Sequence, residues 1–186
     1  MRKDLPKPLR KFGYRYAEQI GLTTGSTGDR AYLETEGLSR YIADRIMDRE
    51  FPELTRRHKS SNSKYDEDVF SGSTRIKMEM KIRYTKSTSF PDSKVSDSKC
   101  DFKSNPDWWL VVFYWDDFKW YIWDLSEYTP EYNKKSWNHY YSSSDMDDNR
   151  WIEGQDAWVF DFSKAKYSGT LDNRTIKFAK QQGYGA

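Results

Sequence analysis

The sequence predicts one α/β domain built on a central mixed β-sheet flanked by helices. Three observations lead there: a helical stretch over residues 30–50, an alternating hairpin over 64–84, and two apolar runs, Trp108–Trp115 and Trp120–Leu125. With 186 residues the chain fits a single domain and can bury a real core. Aromatic residues make up 17% of it, which argues against disorder, and 32% charged residues argue against a bland apolar bundle.

Residues 1–28 are basic, then rich in Gly and Thr, and read as an arm or loop ahead of a domain spanning 29–186. The stretch Gly21–Gly28 lacks the Gly-Lys-Ser/Thr that a phosphate-binding P-loop requires. Asp29 can cap a helix from Arg30 to Glu50, which Phe51-Pro52 ends. Its apolar stripe is Ala31, Leu38, Tyr41, Ile42 and Ile46, at helical spacing. Glu34 and Arg45 lie within that stripe, whereas Glu36 projects to the far side. A carboxylate aimed at a core costs several kcal/mol unless it is compensated. Glu34 therefore either pairs with Arg45, about three turns away, or serves a metal or polar site beneath the helix.

After a basic, serine-rich connection at 53–64, the segment Lys64–Tyr84 reads as a β-hairpin turning at Gly72-Ser73, a Gly-first pair suited to a type II′ turn. That register sets Val69 opposite Ile76, with Met78, Met80 and Ile82 along the same face. The other face collects Asp66, Asp68, Arg75, Lys77, Glu79, Lys81 and Arg83, with Asp66 directly across from Glu79. Residues 85–106 are rich in Ser, Asp and Lys and read as a long loop. The two apolar runs that follow are central strands buried on both sides. Residues 126–150 read as an acidic, aromatic connection containing Ser142–Ser144, Ala157–Phe162 as a short strand, and the remainder as a basic tail.

Composition narrows the chemistry. One cysteine, Cys100, excludes an internal disulfide framework and any multi-cysteine metal site. Two histidines, His58 and His139, leave little room for an imidazole cluster, so a metal would take oxygen ligands. His139, among aromatics, fits packing or a phosphate contact. No apolar run reaches membrane-spanning length and no signal-peptide core opens the chain, so a soluble, cytoplasmic domain is expected. Net charge is only +2, but residues 1–30 carry seven basic against three acidic residues and 56–103 carry twelve against seven. Residues 104–161 reverse this with four against twelve, and 162–186 return to five against one. Such basic flanks around an acidic slab can steer a polyanion onto one face.

Two carboxylates on adjacent strands, with a lysine two residues beyond the second, form a recognisable chemical unit. The carboxylates can hold a divalent cation, and the lysine can orient a water or offset developing charge. Strand alternation keeps Glu79 and Lys81 on one side. An acidic-x-Lys triplet occurs five times, at Glu79, Asp92, Asp97, Asp101 and Asp117. The triplets at 92, 97 and 101 fall in the Ser/Lys loop, where no strand fixes side-chain direction. Asp107 and Asp117 flank one apolar strand and lie about 33 Å apart at ~3.3 Å per residue, too far to share a metal. Only the hairpin folds its acids together.

With Asp66 or Asp68 followed by Glu79-Met-Lys81, the chain resembles the PD-(D/E)xK nuclease superfamily, which includes many restriction endonucleases and Holliday-junction resolvases. Glu34 resembles the helix-borne glutamate of some members, and the resemblance covers roughly residues 29–125. The family's proline before the first aspartate is replaced by Lys64-Tyr65, which leaves the choice between the two aspartates open. The resemblance implies a restriction-endonuclease-like core and metal-dependent hydrolysis of DNA phosphodiesters, most simply restriction-type cleavage of double-stranded DNA. It also implies Mg²⁺, with Mn²⁺ able to substitute, held by Asp66 or Asp68 and Glu79, with Lys81 positioning water and Glu34 supporting the metal shell. A homodimer cutting both strands follows from the same likeness. Lys77, Arg83, Lys86 and Lys94 are candidate phosphate contacts. Competing expectations are a junction- or structure-specific nuclease, a non-catalytic nucleic-acid-binding module, and a carbohydrate-binding β-domain using exposed tryptophans. The bland alternative for the hairpin is a solvent-facing strand pair with alternating charges.

Overall fold

The computed structural model describes residues 5–22, 30–60, 63–96, 102, 106–141 and 150–184. Three helices run over Lys7–Gln19 (α1), Arg30–Glu50 (α2) and Asn173–Gln181 (α3). The strands are Thr55–His58 (β1), Glu67–Ser71 (β2), Thr74–Arg83 (β3), Asp92–Ser96 (β4), Trp108–Tyr114 (β5), Lys119–Asp124 (β6), Glu131–Tyr141 (β7), Arg150–Asp161 (β8) and Tyr167–Thr170 (β9). Six of them form one sheet in the order β1-β2-β3-β5-β6-β9, and β4-β8-β7 form a second. In the larger sheet β3 and β5 are parallel and the other neighbours antiparallel, so the fold is mixed α/β. Among the described residues no helix is long and apolar enough to cross a membrane.

β5 explains why its sequence is apolar throughout. Trp109, Val111 and Phe113 pack in the core beneath the helices, with Leu38, Ile42, Ile46, Val69, Met78 and Met80. Trp108, Leu110, Val112 and Tyr114 point the other way, into a second core shared with Val95, Trp158 and Phe160 of the smaller sheet. A strand covered on both faces has no polar side to display. The hairpin keeps its expected register: Val69 faces Ile76 and Ser71 faces Thr74. Gly72 has φ +58° while Ser73 is not among the positive-φ residues, the pattern of a type II′ rather than a type I′ turn.

Several segments expected to be irregular are ordered. Residues 7–19 form α1 rather than an arm. Pro8 sits in its first turn, where the missing N–H costs nothing. Gly21, at φ +68°, closes the helix as Leu22 N–H donates to the Ala17 carbonyl at 2.8 Å. The helix crosses α2 at two glycines. A Cβ on Gly37 would overlap the Gly13 carbonyl and lie 2.9 Å from both the backbone nitrogen and the Cβ of Ala17. Strands also replace expected connections at 55–58, 92–96 and 131–141, and β8 extends well beyond the short strand expected at its end. β4 carries one apolar residue facing the core, Val95, and four-residue β1 carries none, so neither registers as hydrophobic alternation. The expected basic tail holds β9 and α3. Asp172 caps α3, its Oδ1 accepting from Thr175 N–H at 2.9 Å. Asp29, Asp97, Cys100, Asp101 and Ser142–Ser144 lie outside the described residues.

Candidate active site and a buried ion-pair network

β2 begins at Glu67, opposite Met78, so β3 runs on from Glu79 to Arg83 without β2 beside it. The N-terminal half of α2 and the residue before β2, Asp66, meet β3 at this notch. Asp66 grips the strand on both sides of Glu79. Its N–H donates to the Met78 carbonyl at 2.9 Å, and its Oδ2 accepts from Met80 N–H at 2.6 Å. Its Oδ1 accepts from Arg40 Nη2 at 2.9 Å, while Arg40 Nη1 donates to the Asp66 carbonyl. Arg40 Nε donates to Glu36 Oε1 at 3.0 Å. On β3, Lys81 Nζ donates to the Glu79 carboxylate.

Glu36, Asp66 and Glu79 thus set three carboxylates against the two cations Arg40 and Lys81, one negative charge in excess. Glu79 is 1% exposed, but the side chains of Glu36, Asp66 and Lys81 are partly open to solvent. Burial, reinforced by the nearby Asp66 charge, pushes the Glu36 carboxyl up to about 7, although Arg40 and Lys81 pull the other way. Tyr32, one turn before Glu36, lies at the mouth with 39% of its surface exposed. Burial of its phenol and the charges of Glu36 and Asp66 raise its pKa. Glu36, Asp66 and Glu79 offer oxygen atoms, the ligand type a hard divalent cation takes, whereas the acid and histidine group whose donor atoms fall within 4.8 Å of one another among the described residues is Asp44, His58 and Glu67.

The structure separates the residues singled out in the sequence. Asp66 joins Glu79, whereas Asp68 lies across from Lys77 and is held by Arg75 Nε at 2.7 Å and Lys59 Nζ at 3.5 Å. These partners outweigh burial and keep the Asp68 carboxyl below its ordinary range. Glu34 does not reach the group. It pairs with Arg30 at 3.3 Å and Arg10 at 3.9 Å, while Glu36 on the same helix pairs with Arg40 at 3.0 Å. The reason is α1: it covers a second face of α2, so the buried surface includes Leu33, Gly37, Arg40 and Asp44 as well as Leu38, Ile42 and Ile46 of the expected stripe. Arg45 does not pair with Glu34. Its guanidinium lies 3.5 Å from Asp172 and donates to Thr175 at 3.2 Å.

The candidate phosphate contacts separate similarly. Lys77 pairs with Asp107 at 3.0 Å. Arg83 turns inward and donates to the Lys94 carbonyl, and burial lowers its pKa. Lys94 lies on β4, and Lys86 is exposed. Within the charged face of the hairpin Glu79 and Asp68 are buried, while the Arg75 side chain is 49% exposed.

A second polar network lies on the helix-facing side of the same sheet, and sequence reasoning missed it. His58 Nε2 is 3.3 Å from Asp44 Oδ2, and its Nδ1 is 3.1 Å from Glu67 Oε1. Arg56 binds Asp44 and Asp48 and lies 3.5 Å from Glu67, while Tyr16 of α1 donates to Asp44. One donor atom each from Asp44, His58 and Glu67 falls within 4.8 Å of the others, a spacing a metal could bridge. The Arg56 guanidinium already stands between the two acids, and both His58 ring nitrogens lie within ion-pair distance of them, although His58 Nδ1 and both Glu67 oxygens make no hydrogen bond. Burial alone would lower the His58 pKa, but the two carboxylates outweigh it and push it up to about 9. Asp44 is held low by His58 and Arg56 against the effect of burial. This arrangement braces α2 against β1 and β2. Its signal in the sequence is Glu36, Arg40, Asp44 and Asp48 at four-residue intervals, a pattern that resembles a solvated salt-bridge face. No protein-family model matches the chain, and comparison with curated proteins and with solved structures finds no match.

Proposed function

We propose that the chain is a metal-dependent endonuclease hydrolysing DNA phosphodiester bonds. The observation that carries this reading is the meeting of Glu36, Asp66, Glu79 and Lys81 in one partly open notch, drawn from a helix, a strand entry and an unpaired strand edge. Glu36, Asp66 and Glu79 would hold Mg²⁺ or Mn²⁺, with Asp68 outside the ligand set. The bound cation supplies Lewis-acid stabilisation of phosphoryl oxygens and lowers the pKa of a coordinated water. Lys81 keeps its ammonium group at the Glu79 carboxylate and toward the opening, where it can orient water and offset charge on the phosphate.

Lys7, Arg10, Lys11 and Arg15 line the exposed side of α1. This basic stripe, together with Lys86, would supply a backbone grip. Restriction-type cleavage of double-stranded DNA, a homodimer that cuts both strands, and a cytoplasmic location belong to the same proposal.

Supercoiled plasmid incubated with wild type and with Lys81→Ala, in Mg²⁺ and in EDTA, tests it. Cleavage that needs metal and disappears in the variant is expected; discrete bands would mark site-specific cutting. A four-way junction as second substrate distinguishes a junction-directed enzyme. Inactivity of wild type on both substrates, with binding that weakens as salt rises, would overturn the reading in favour of a non-catalytic nucleic-acid-binding module.

A further inference from the structure

We propose that Arg40 is a positioning residue that fixes the Asp66 and Glu36 carboxylates beside Glu79 and Lys81. The inference rests on the nuclease reading of this notch. Arg40 is 1% exposed, so its guanidinium cannot reach a phosphate in solvent. All three of its nitrogens are committed: Nε to Glu36, Nη2 to Glu36 and the Asp66 carboxylate, and Nη1 to the Asp66 carbonyl. The carbonyl contact fixes the backbone of Asp66, and the carboxylate contact fixes its side-chain rotation. Met80 N–H takes the other carboxylate oxygen. Asp66 is therefore clamped at both oxygens and at its main chain, with lone pairs still to offer.

Glu36 is fixed through the same guanidinium, which makes the two acids one rigid unit. A lysine could supply the charge but not the planar fork that reaches three acceptors at once. Arg40 also separates two carboxylates that would otherwise repel one another at short range, so the notch holds its shape before any cation arrives. Groups that orient metal ligands in this way usually change affinity or turnover by about 10- to 100-fold when removed.

The test compares wild type, Arg40→Gln, Arg40→Lys and a control, Arg45→Gln, which removes an arginine of the same helix that pairs with α3 instead. The first readout needs no metal and no turnover: the Met80 amide resonance and its hydrogen exchange. Arg40→Gln and Arg40→Lys are expected to shift that resonance and speed its exchange at least about 10-fold, whereas Arg45→Gln leaves both unchanged. The second readout is direct Mn²⁺ binding, expected to weaken about 10- to 100-fold in both Arg40 variants and to stay within about twofold of wild type in the control. The third is plasmid cleavage at saturating Mg²⁺, where kcat is expected to fall by a similar factor with KM for DNA unchanged.

An unchanged Met80 amide, full rescue by Arg40→Lys, a loss confined to KM, or a Mn²⁺ affinity that follows thermal stability across all variants would each overturn the positioning role. A wild type that binds no Mn²⁺ and cleaves nothing, together with the expected amide shifts, would overturn the nuclease reading and reduce Arg40 to a structural clamp.

Discussion

Replacing His58 with Gln is expected to remove a pH-dependent contribution to stability that operates between about pH 6.5 and 9. In the folded chain the imidazolium sits between Asp44 and Glu67, which raises its pKa from the ordinary 6.5 to about 9. Because the folded state binds the proton more tightly, the stabilisation is fully present below 6.5 and is lost as pH rises through about 9. At 1.36 kcal/mol per pH unit the rise amounts to about 3 kcal/mol, and the side chain is only 23% exposed, so solvent screening removes little of it. Arg56 remains to neutralise part of the Asp44–Glu67 pair at every pH considered. Urea unfolding of wild type and His58→Gln at pH 6, 7, 8 and 9 measures the effect. His139 is common to both proteins, so its titration cancels in the difference. The gap between the two free energies should narrow by about 3 kcal/mol across the series. Parallel profiles, or a native imidazole that titrates at or below 6.5 by NMR, would refute the brace.

Further outcomes follow from the same geometry. Gly37→Ala places a methyl group against the Gly13 carbonyl, so α1 must move outward; a loss of about 1–3 kcal/mol is expected in chemical denaturation, and no loss would contradict the close helix crossing. Glu36→Gln is expected to reduce Mg²⁺-dependent cleavage at least about 10-fold, whereas Glu34→Gln, at a residue paired with Arg30 and Arg10, leaves it within about twofold; the reverse ranking would restore the helix glutamate first expected from sequence. Asp66→Asn should abolish cleavage while Asp68→Asn retains it and instead lowers thermal stability, since Asp68 is occupied by Arg75 and Lys59. Asp117→Asn weakens the acceptor that holds both Ser87 N–H (2.9 Å) and Ser87 Oγ (2.6 Å), and faster amide exchange over 86–89 is expected without loss of the sheet.

The sequence determined whatever depends on local repetition. Helical spacing placed α2 over Arg30–Glu50, period-two alternation with Gly72 placed the hairpin and its register, and unbroken apolar runs placed β5 and β6. The pairing of Glu79 with Lys81 on one strand face was legible for the same reason. Elements that bury little of their own length were not. β1, β4 and β9 are short and polar because larger neighbours do most of the covering, and α1 opens with prolines that suit a first turn.

Only the tertiary structure decided which acids meet. That Asp66 rather than Asp68 lies across from Glu79 beside Arg40 depends on where β2 begins, which leaves β3 with an open edge, and on Arg40 reaching across from α2. The exchange of Glu34 for Glu36 depends on α1, since a helix packed on two sides has no single buried stripe for its own periodicity to reveal. The His58 brace depends on ion pairs that join α1, α2, β1 and β2, and the strength of a buried charge is set by neighbours distant in the chain.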